Sequence, residues 1–347
     1  MVLAEVEAAA GTRARLERIW EWYRGMIHPS TGRLAYLYDP VRDVRVAAGE
    51  PVRDIAAAYD VARLGRFLGR TDLAPLVERT LQHWESRLVE EDGTVFVDTR
   101  PLGEPPGIAH AAFLLLGALE AGGHPDTVRR LTDALLRQQR PDGSLKVWFL
   151  DGDNLSLELC PAEALVALAR VYEILGDGRC HDAMARGFDW FRAYHSLRHV
   201  DPDLLVFYAT WQSQLMACLY HASDEGLRAR VRDELFSLHD ALLDVGFWEE
   251  VALHAEEQAC VQVACGLEGV VEGYDVARAE GDARRVARYG AAGRVACRFL
   301  FHAQRLRGTP RERGGFGHSL EERAQRIDVT GHAAHGLMRA VEVGLVR

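Results

Sequence analysis

The 347-residue sequence lacks several features that would place it in a familiar class. It has no long basic run, which argues against a nucleic-acid-binding surface, and its formal net charge of -10 mainly favours solubility. No apolar stretch is long enough to span a bilayer, and the first residues lack the basic start and long apolar segment of a signal peptide. We therefore expect a cytoplasmic protein without a membrane span.

Motifs for metals and cofactors are also missing. The six cysteines are irregularly spaced and form no CxxC pair, so we expect reduced and mostly buried thiols. There is no P-loop, no GxGxxG opening a helix after a strand, no GxSxG and no HExxH. TGHAAHG (330–336) holds two histidines, but a metal there would need ligands from elsewhere in the chain. We predict no metal and no cofactor.

Strand-like alternation is scarce, and apolar residues at helical spacing dominate. Two types of helix alternate. One is apolar nearly all round, as in 110–121 and 164–175, and the other is amphipathic, as in 73–91, 127–139 and 227–244. Short Gly/Asp breaks recur at intervals of roughly 50 residues, which is typical of helical repeats. Their positions are 69–72, 122–126, 176–178, 223–226 and 280–282.

The alternation predicts an all-α fold, an (α/α)6 toroid formed by residues 1–347 as a single domain. Six apolar helices would lie inside and six amphipathic helices outside. The first helix (about 12–27) is amphipathic and the last (about 328–344) is apolar, so the two can pair and close the ring. An open superhelical solenoid is the alternative, because it also alternates two helix types with short connections.

A second kind of loop follows each amphipathic helix and carries aromatic and acidic residues. RQQRPDGSLKVWFLDGDN (137–154) is one example. In a closed ring these loops share one face, where the N-termini of the inner helices present free N–H groups and positive dipole ends. Side chains that are distant in sequence would then converge on one small-molecule substrate in a central funnel.

The funnel hypothesis names two sets of residues. The catalytic candidates are Asp153, Asp328, His332, Glu163 and Glu250, with Asp153 and Asp328 as the acid/base pair. The substrate-binding candidates are Asp151, Asn154, Arg53, Tyr59, His110, Tyr208, Trp211, Gln212, Trp248, His254 and Arg326.

Structural roles remain open for many of these candidates. The aspartates and Asn154 precede helices and could be N-caps, and Glu163 lies in a first turn where a carboxylate is favourable anyway. Glu250 could belong to a solvated face, the tryptophans and His332 to the core, and Arg326 with Asp328 to a plain ion pair. Taken together, aromatic side chains and carboxylates in one funnel suit sugars, because rings stack on aromatics and paired carboxylates transfer protons.

The helix periodicity resembles that of the six-hairpin toroids of glycan-active enzymes, which include unsaturated uronide hydrolases, glucanases and sugar 2-epimerases. This resemblance implies acid/base chemistry on a carbohydrate or uronic-acid-like substrate, as a hydrolase, lyase or epimerase. Locally, QQRPDGSLKVWFLDGDN is similar to a terpenoid-cyclase repeat followed by the DxDD motif, with Asn154 in place of the final aspartate. That similarity implies a cyclase or isomerase with Asp153 as its Brønsted acid. A non-catalytic helical scaffold that binds a peptide or protein is the third hypothesis.

Overall fold

The structure is a computed structural model that describes residues 11–47, 50–150, 152, 157, 159–198 and 202–347. Within these ranges, twelve long helices form two concentric layers. The outer helices are α1 (Thr12–Met26), α3 (Ala74–Glu85), α5 (Pro125–Gln138), α7 (Gly178–Arg198), α9 (Glu225–Asp244) and α12 (Ala283–Ala303). The inner helices are α2 (Pro51–Leu68), α4 (Ile108–Ala121), α6 (Cys160–Leu175), α8 (Pro202–Ala222), α11 (Cys260–Ala279) and α13 (Ile327–Glu342).

The inner helices form a closed ring. Each packs against the next in chain order, and α13 packs against both α2 and the outer helix α1. The two ends of the described chain are joined by hydrogen bonds: the Thr12 amide donates to the Arg347 carbonyl at 3.0 Å, and Trp22 Nε1 donates to Gln325 Oε1 at 2.6 Å. The predicted (α/α)6 toroid is confirmed, and the open solenoid is wrong.

The Gly/Asp breaks act as helix stop and start signals. Gly69 and Gly176 cap α2 and α6 in the left-handed conformation, at φ 72° and 71°. Asp224 and Asp282 begin α9 and α12, where each side chain accepts a hydrogen bond from a first-turn amide. These breaks join each inner helix to the following outer helix, so they all lie on one face of the ring.

The loops on the other face of the ring contain short β-strands, which the sequence analysis did not predict. The predicted helix 73–91 ends at Glu85, and β3 (Leu88–Glu91) pairs with β4 (Thr94–Val97) across a turn in which Asp92 and Gly93 have φ of 49° and 70°. β-Branched residues favour this hairpin over a continued helix. β1 (Ala35–Asp39) pairs with β2 (Val44–Ala47) and with β5 (Gln325–Arg326), which links the first such loop to the last.

Two further observations complete the architecture. The stretch after α9, predicted as a loop, contains the short helix α10 (Phe247–Leu253). None of the helices in the described ranges is long and apolar enough to cross a membrane.

Candidate active site

A cavity of about 250 Å³ lies inside the ring, beside the N-terminal halves of the inner helices. Most of the inner helices contribute to its wall, and α13 contributes a stripe of residues at helical spacing. The lining residues are Val52, Arg53, Ala56, Tyr59, Asp60, Ala109, Phe113, Leu159, Cys160, Glu163, Trp211, Glu268, Asp328, Gly331, His332 and His335. The convergence expected from the loop pattern therefore occurs at this end of the ring.

Aromatic rings form one side of the cavity. The Trp211 ring meets Phe113 edge-on, with centroids 5.9 Å apart, and meets His332 in a similar geometry at 6.0 Å. Trp211 is 8% exposed and Phe113 is also 8% exposed, so both are packed but still border the void. An apolar ring face at this position suits stacking against a sugar or another flat ligand.

Asp328 begins the polar stripe of α13 and is held by cations. Arg326 donates to it through Nε at 3.0 Å and also through Nη2, and the Val329 amide donates at 2.9 Å. Arg53 Nη1 lies 3.7 Å from Asp328 Oδ2. Burial alone would raise the pKa of Asp328, but the Arg326 hydrogen bonds and the Arg53 charge outweigh burial and lower it. Asp328 is therefore ionised across the neutral range.

Glu163 is the carboxyl group with the opposite environment. It lies in the first turn of α6 and lines the cavity, and no hydrogen bond joins its side chain to any other residue in the described part of the chain. Burial raises the pKa of Glu163 to about 7, although Arg53 and His332 partly oppose this rise. Near neutral pH, this side chain can therefore hold or release a proton.

His332 pairs with Glu268 of the neighbouring helix α11. Its Nδ1 lies 3.2 Å from Glu268 Oε1 and 3.4 Å from Oε2. Burial disfavours the imidazolium, but Cys265 and Glu268 both favour it, so the pKa of His332 lies well above its ordinary value. His332 thus adds a positive charge to the cavity wall beside Trp211.

His335 lies one turn deeper and pairs with Asp60 of α2. Its Nε2 is 3.1 Å from Asp60 Oδ1, and its ring meets Tyr59 edge-on with centroids 4.9 Å apart. Asp60 also accepts a hydrogen bond from the Tyr23 hydroxyl at 3.3 Å. The cavity therefore contains two histidine–carboxylate pairs on successive turns of α13.

The other residues of the funnel hypothesis lie in three kinds of place. Arg53, Tyr59 and Trp211 line the cavity, and Arg326 joins it through Asp328 while its guanidinium lies 5.3 Å from the Tyr36 ring centroid. Four candidates are buried outside the lining: His110, Tyr208, Gln212 and Trp248. Two are exposed on or beside α10: Glu250 and His254. Asp151, Asp153 and Asn154 lie outside the described residues.

The sequence interpretation missed Asp60, Glu268 and His335 as site residues. A signal for all three exists in the helix periodicity. Asp60 and Glu268 are acidic residues within largely apolar inner helices, and His335 follows Asp328 and His332 at the spacing of one helix face. A buried carboxylate needs a partner, so each acidic residue could have been matched to a histidine.

The opposite half of the ring interior is filled by ion pairs. Glu120 Oε1 accepts hydrogen bonds from Arg66 and from Arg170, each at 3.1 Å. Arg339 binds Glu272 at 2.9 Å through Nε and Asp275 at 2.8 Å through Nη2. Between the two halves, Arg63 donates to the Tyr59 hydroxyl at 2.9 Å. These side chains come from the C-terminal halves of the inner helices, so the cavity is closed at this end.

Among the described residues, no group of three His, Cys, Asp or Glu side chains is arranged to hold a metal ion. Three of the cavity carboxylates, Asp60, Glu268 and Asp328, instead contact arginines or histidines.

No protein-family model matches the chain, and no curated protein sequence matches it. Solved structures do match. An unsaturated glucuronyl hydrolase specific for heparin superposes with a TM-score of 0.66 at 9% identity, over 96% of this chain and 97% of its own. A GH76 α-mannanase from Bacteroides thetaiotaomicron gives 0.59 at 12% identity, over 95% of each chain. A type II terpene cyclase from Scytonema gives 0.58 at 10% identity, over 96% of this chain and 99% of its own.

These structural neighbours are all enzymes with an α/α toroid. At such low identities the likeness shows that this chain shares the fold, and nothing finer. The resemblance to six-hairpin toroids is confirmed at the level of architecture.

Proposed function

We propose that the protein is an enzyme that carries out acid/base chemistry on a carbohydrate or uronic-acid-like small molecule bound in the cavity. The observation that carries this proposal is the arrangement of Glu163 and Asp328. Both carboxyl groups line one enclosed space, both lie near Arg53, and an aromatic wall adjoins them. The reaction would be a hydrolysis, an elimination or an epimerisation, each of which needs a proton donor and a proton acceptor.

Glu163 is the proposed proton donor. Burial in the cavity wall keeps it protonated up to about neutral pH, as the pKa of about 7 indicates. Its carboxyl group makes no hydrogen bond within the described residues, so its proton is available to a ligand. Asp328 is the proposed partner carboxylate, since Arg326 and Arg53 keep it ionised. His332, held by Glu268, would stabilise negative charge that develops on the substrate.

The remaining walls suit a polyhydroxylated ring. Trp211 provides a face for stacking, and Arg53 provides a cation for a substrate carboxylate. The relatives named as a glucuronyl hydrolase and a mannanase support this class of substrate, because both act on sugars through the same toroid.

The cyclase hypothesis predicts an apolar, largely dry funnel walled by aromatics. Seven of the sixteen lining residues are Arg, Asp, Glu or His, which suits a polar ligand better than an isoprenoid chain. The scaffold hypothesis predicts an open superhelix or a fully plugged ring. The ring is closed and only its C-terminal half is plugged, so this hypothesis is also less favoured.

The test is turnover of an unsaturated glucuronyl disaccharide, followed by the loss of ultraviolet absorbance of its conjugated double bond. Glu163→Gln and Asp328→Asn should each lower kcat/KM by about 100-fold or more, because each removes one proton-transfer group. Glu225→Gln is the matched control, since Glu225 also lies in a first helical turn but is exposed on the outer layer. It should keep the wild-type rate.

Turnover by both site variants at the wild-type rate would overturn the proposed roles. If the wild-type protein leaves this disaccharide and a set of nitrophenyl glycosides unchanged, while it converts an isoprenoid diphosphate, the cyclase hypothesis replaces the proposal.

A further inference from the structure

Tyr36 of β1 has no role in the acid/base proposal above, yet it contacts the residue that holds Asp328. Its side chain is partly buried against the core, and the Arg326 guanidinium lies over its ring, 5.3 Å from the centroid. The same guanidinium binds both carboxylate oxygens of Asp328, through Nε at 3.0 Å and through Nη2. Arg326 therefore contacts an aromatic ring and a carboxylate at the same time.

The chain fixes Tyr36 on both sides. Before it, the buried Asp54 of α2 accepts a hydrogen bond from the Leu34 amide at 2.8 Å. After it, Leu37 pairs with Arg326 in the ladder between β1 and β5. A ring held in this way loses little conformational freedom when it contacts a cation, so the contact is favourable.

We propose that Tyr36 is a positioning residue, which holds the Arg326 guanidinium in the orientation that binds both oxygens of Asp328. Tyr36 is not among the residues that line the cavity, so it acts through Arg326. Its hydroxyl makes no hydrogen bond within the described residues, which leaves the ring face as the functional part. This inference rests on the proposed function, because Asp328 is the proposed partner carboxylate.

The other groups that face Asp328 do not replace this contact. Arg53 of α2 comes only within 3.7 Å of the carboxylate and also binds Glu50 at 3.2 Å. Tyr23 of α1 lies within range of the Asp328 charge but makes no hydrogen bond with it. Among the described residues, Arg326 is the side chain that donates hydrogen bonds to Asp328. Its orientation therefore governs how strongly the ionised carboxylate is stabilised.

Two substitutions separate the ring from its hydroxyl. Tyr36→Leu should lower kcat/KM for the unsaturated glucuronyl disaccharide about fivefold, because Arg326 can then rotate away from Asp328. The acidic limb of the pH profile should also move up by about half a pH unit, since Asp328 loses part of the interaction that keeps it ionised. Tyr36→Phe keeps the ring face and should stay within about twofold of the wild type. A loss in Tyr36→Phe as large as that in Tyr36→Leu would overturn the inference.

An Arg326→Met background tests whether Tyr36 acts through Arg326. In that background, Tyr36→Leu should cause no further loss of kcat/KM, because the group that it positions is already absent. A further loss of about fivefold would mean that the ring contacts the ligand directly, and it would overturn the positioning role.

A matched control lies outside the cavity lining. The Arg100 guanidinium is 5.6 Å from the Phe96 ring centroid and binds both oxygens of Asp98, at 2.7 Å through Nε and 3.0 Å through Nη2. Phe96→Leu should lower the melting temperature, because Phe96 is buried. It should leave the pH profile of kcat/KM per folded molecule unchanged. The same movement of the acidic limb in Phe96→Leu would show that the effect of Tyr36→Leu is merely structural.

A readout without substrate separates this inference from the proposed function. In protein labelled with ¹³C-aspartate, carboxyl titration by NMR should show a higher pKa of Asp328 in Tyr36→Leu than in the wild type or Tyr36→Phe. An unchanged pKa in Tyr36→Leu would overturn the inference, whether or not the disaccharide is turned over. If this pKa rises but the wild-type protein leaves the disaccharide unchanged, the proposed function is wrong while the role of Tyr36 in holding Arg326 stands.

Discussion

Both halves of the ring interior are rich in charged side chains, but these side chains are paired differently in the two halves. In the C-terminal half, Glu120 binds two arginines, and Arg339 binds two carboxylates. In the N-terminal half, one to two turns away on the same helices, the side chain of Glu163 has no hydrogen bond within the described residues and lines a cavity. One half is held together by internal ion pairs, and the other half surrounds a cavity.

The helix dipoles account for part of this difference. The arginines of the C-terminal half lie near the negative C-terminal ends of the inner helices. Glu163 and Asp328 lie in first turns, near the positive ends. Both arrangements are favourable in sign. The ion pairs of the C-terminal half also give each charged group an oppositely charged partner, and none of the described residues does this for the Glu163 carboxyl group. A buried carboxyl group whose pKa is raised by burial lowers stability at neutral pH, and such groups are enriched at functional sites.

The largest expected effect comes from removing one of the ion pairs that fill the C-terminal half of the ring interior. Arg339→Met should lower the free energy of unfolding by about 3 kcal/mol, because it leaves Glu272 buried without its bidentate partner. Urea unfolding measures the change, and turnover per folded molecule should stay at the wild-type value. Arg129→Met, which removes an exposed ion pair with Asp126, should cost less than about 0.5 kcal/mol. Equal losses of unfolding free energy in the two variants would show that the interior ion pairs stabilise the fold no more than a surface ion pair does.

Replacing Glu163 in the cavity should have the opposite effect on stability and should raise the free energy of unfolding. The pKa of Glu163 is raised from 4.5 to about 7, so the cost of keeping this carboxyl uncharged grows as pH rises from 4.5 and is complete above 7. Glu163→Gln should therefore match the wild-type stability at pH 4 and exceed it at pH 8 by on the order of 2 kcal/mol, with partial exposure allowed for.

Asp328 provides the contrast within the same cavity. Its pKa is lowered, so its ionised form stabilises the fold above the pKa of the unfolded chain, and that contribution disappears as pH falls through the lowered value. Asp328→Asn should be less stable than the wild type at pH 8 and approach it in acid. Thermal melts of Glu163→Gln and Asp328→Asn at pH 4 and at pH 8 test both expectations. A stability gain for Glu163→Gln that is as large at pH 4 as at pH 8 would show that packing, and not charge, is responsible.

Much of the architecture follows from local sequence signals. Gly69, Gly176 and the N-capping Asp224 and Asp282 mark the ends and starts of helices, and the two helix types reveal which layer each belongs to. Ring closure could be predicted because the terminal helices are of complementary type. The hairpin of β3 and β4 was missed, because its residues continue the apolar spacing of α3 and only the Asp92–Gly93 turn reverses the chain.

The site was harder to predict than the fold, because it depends on which turn of each helix faces the void. The predicted site residues lie in or near the loops and the first turns that follow them, yet the described cavity is lined mainly by side chains one to three turns inside the helices, such as Glu268 and His335. Whether Trp211 and Trp248 border the cavity depends on the rotation of α8 and on the position of α10, and sequence periodicity does not define either one. Trp211 lines the void, whereas Trp248 packs against Phe247 outside it.

The smallest expected effect tests whether the two histidine pairs of the cavity are independent. Glu268→Gln removes the carboxylate at Nδ1 of His332 and should lower the pKa of this histidine, which NMR titration of the ring proton resonances measures. Since the raised pKa of His332 stabilises the fold at low pH and this contribution is lost as pH rises through the raised value, the variant should lose about 1 kcal/mol at pH 6 and less at pH 9. The His335 resonances should not move, because Asp60 comes from a different helix. A matching change in the His335 resonances would mean that the two histidine–carboxylate pairs are coupled through α13 rather than independent.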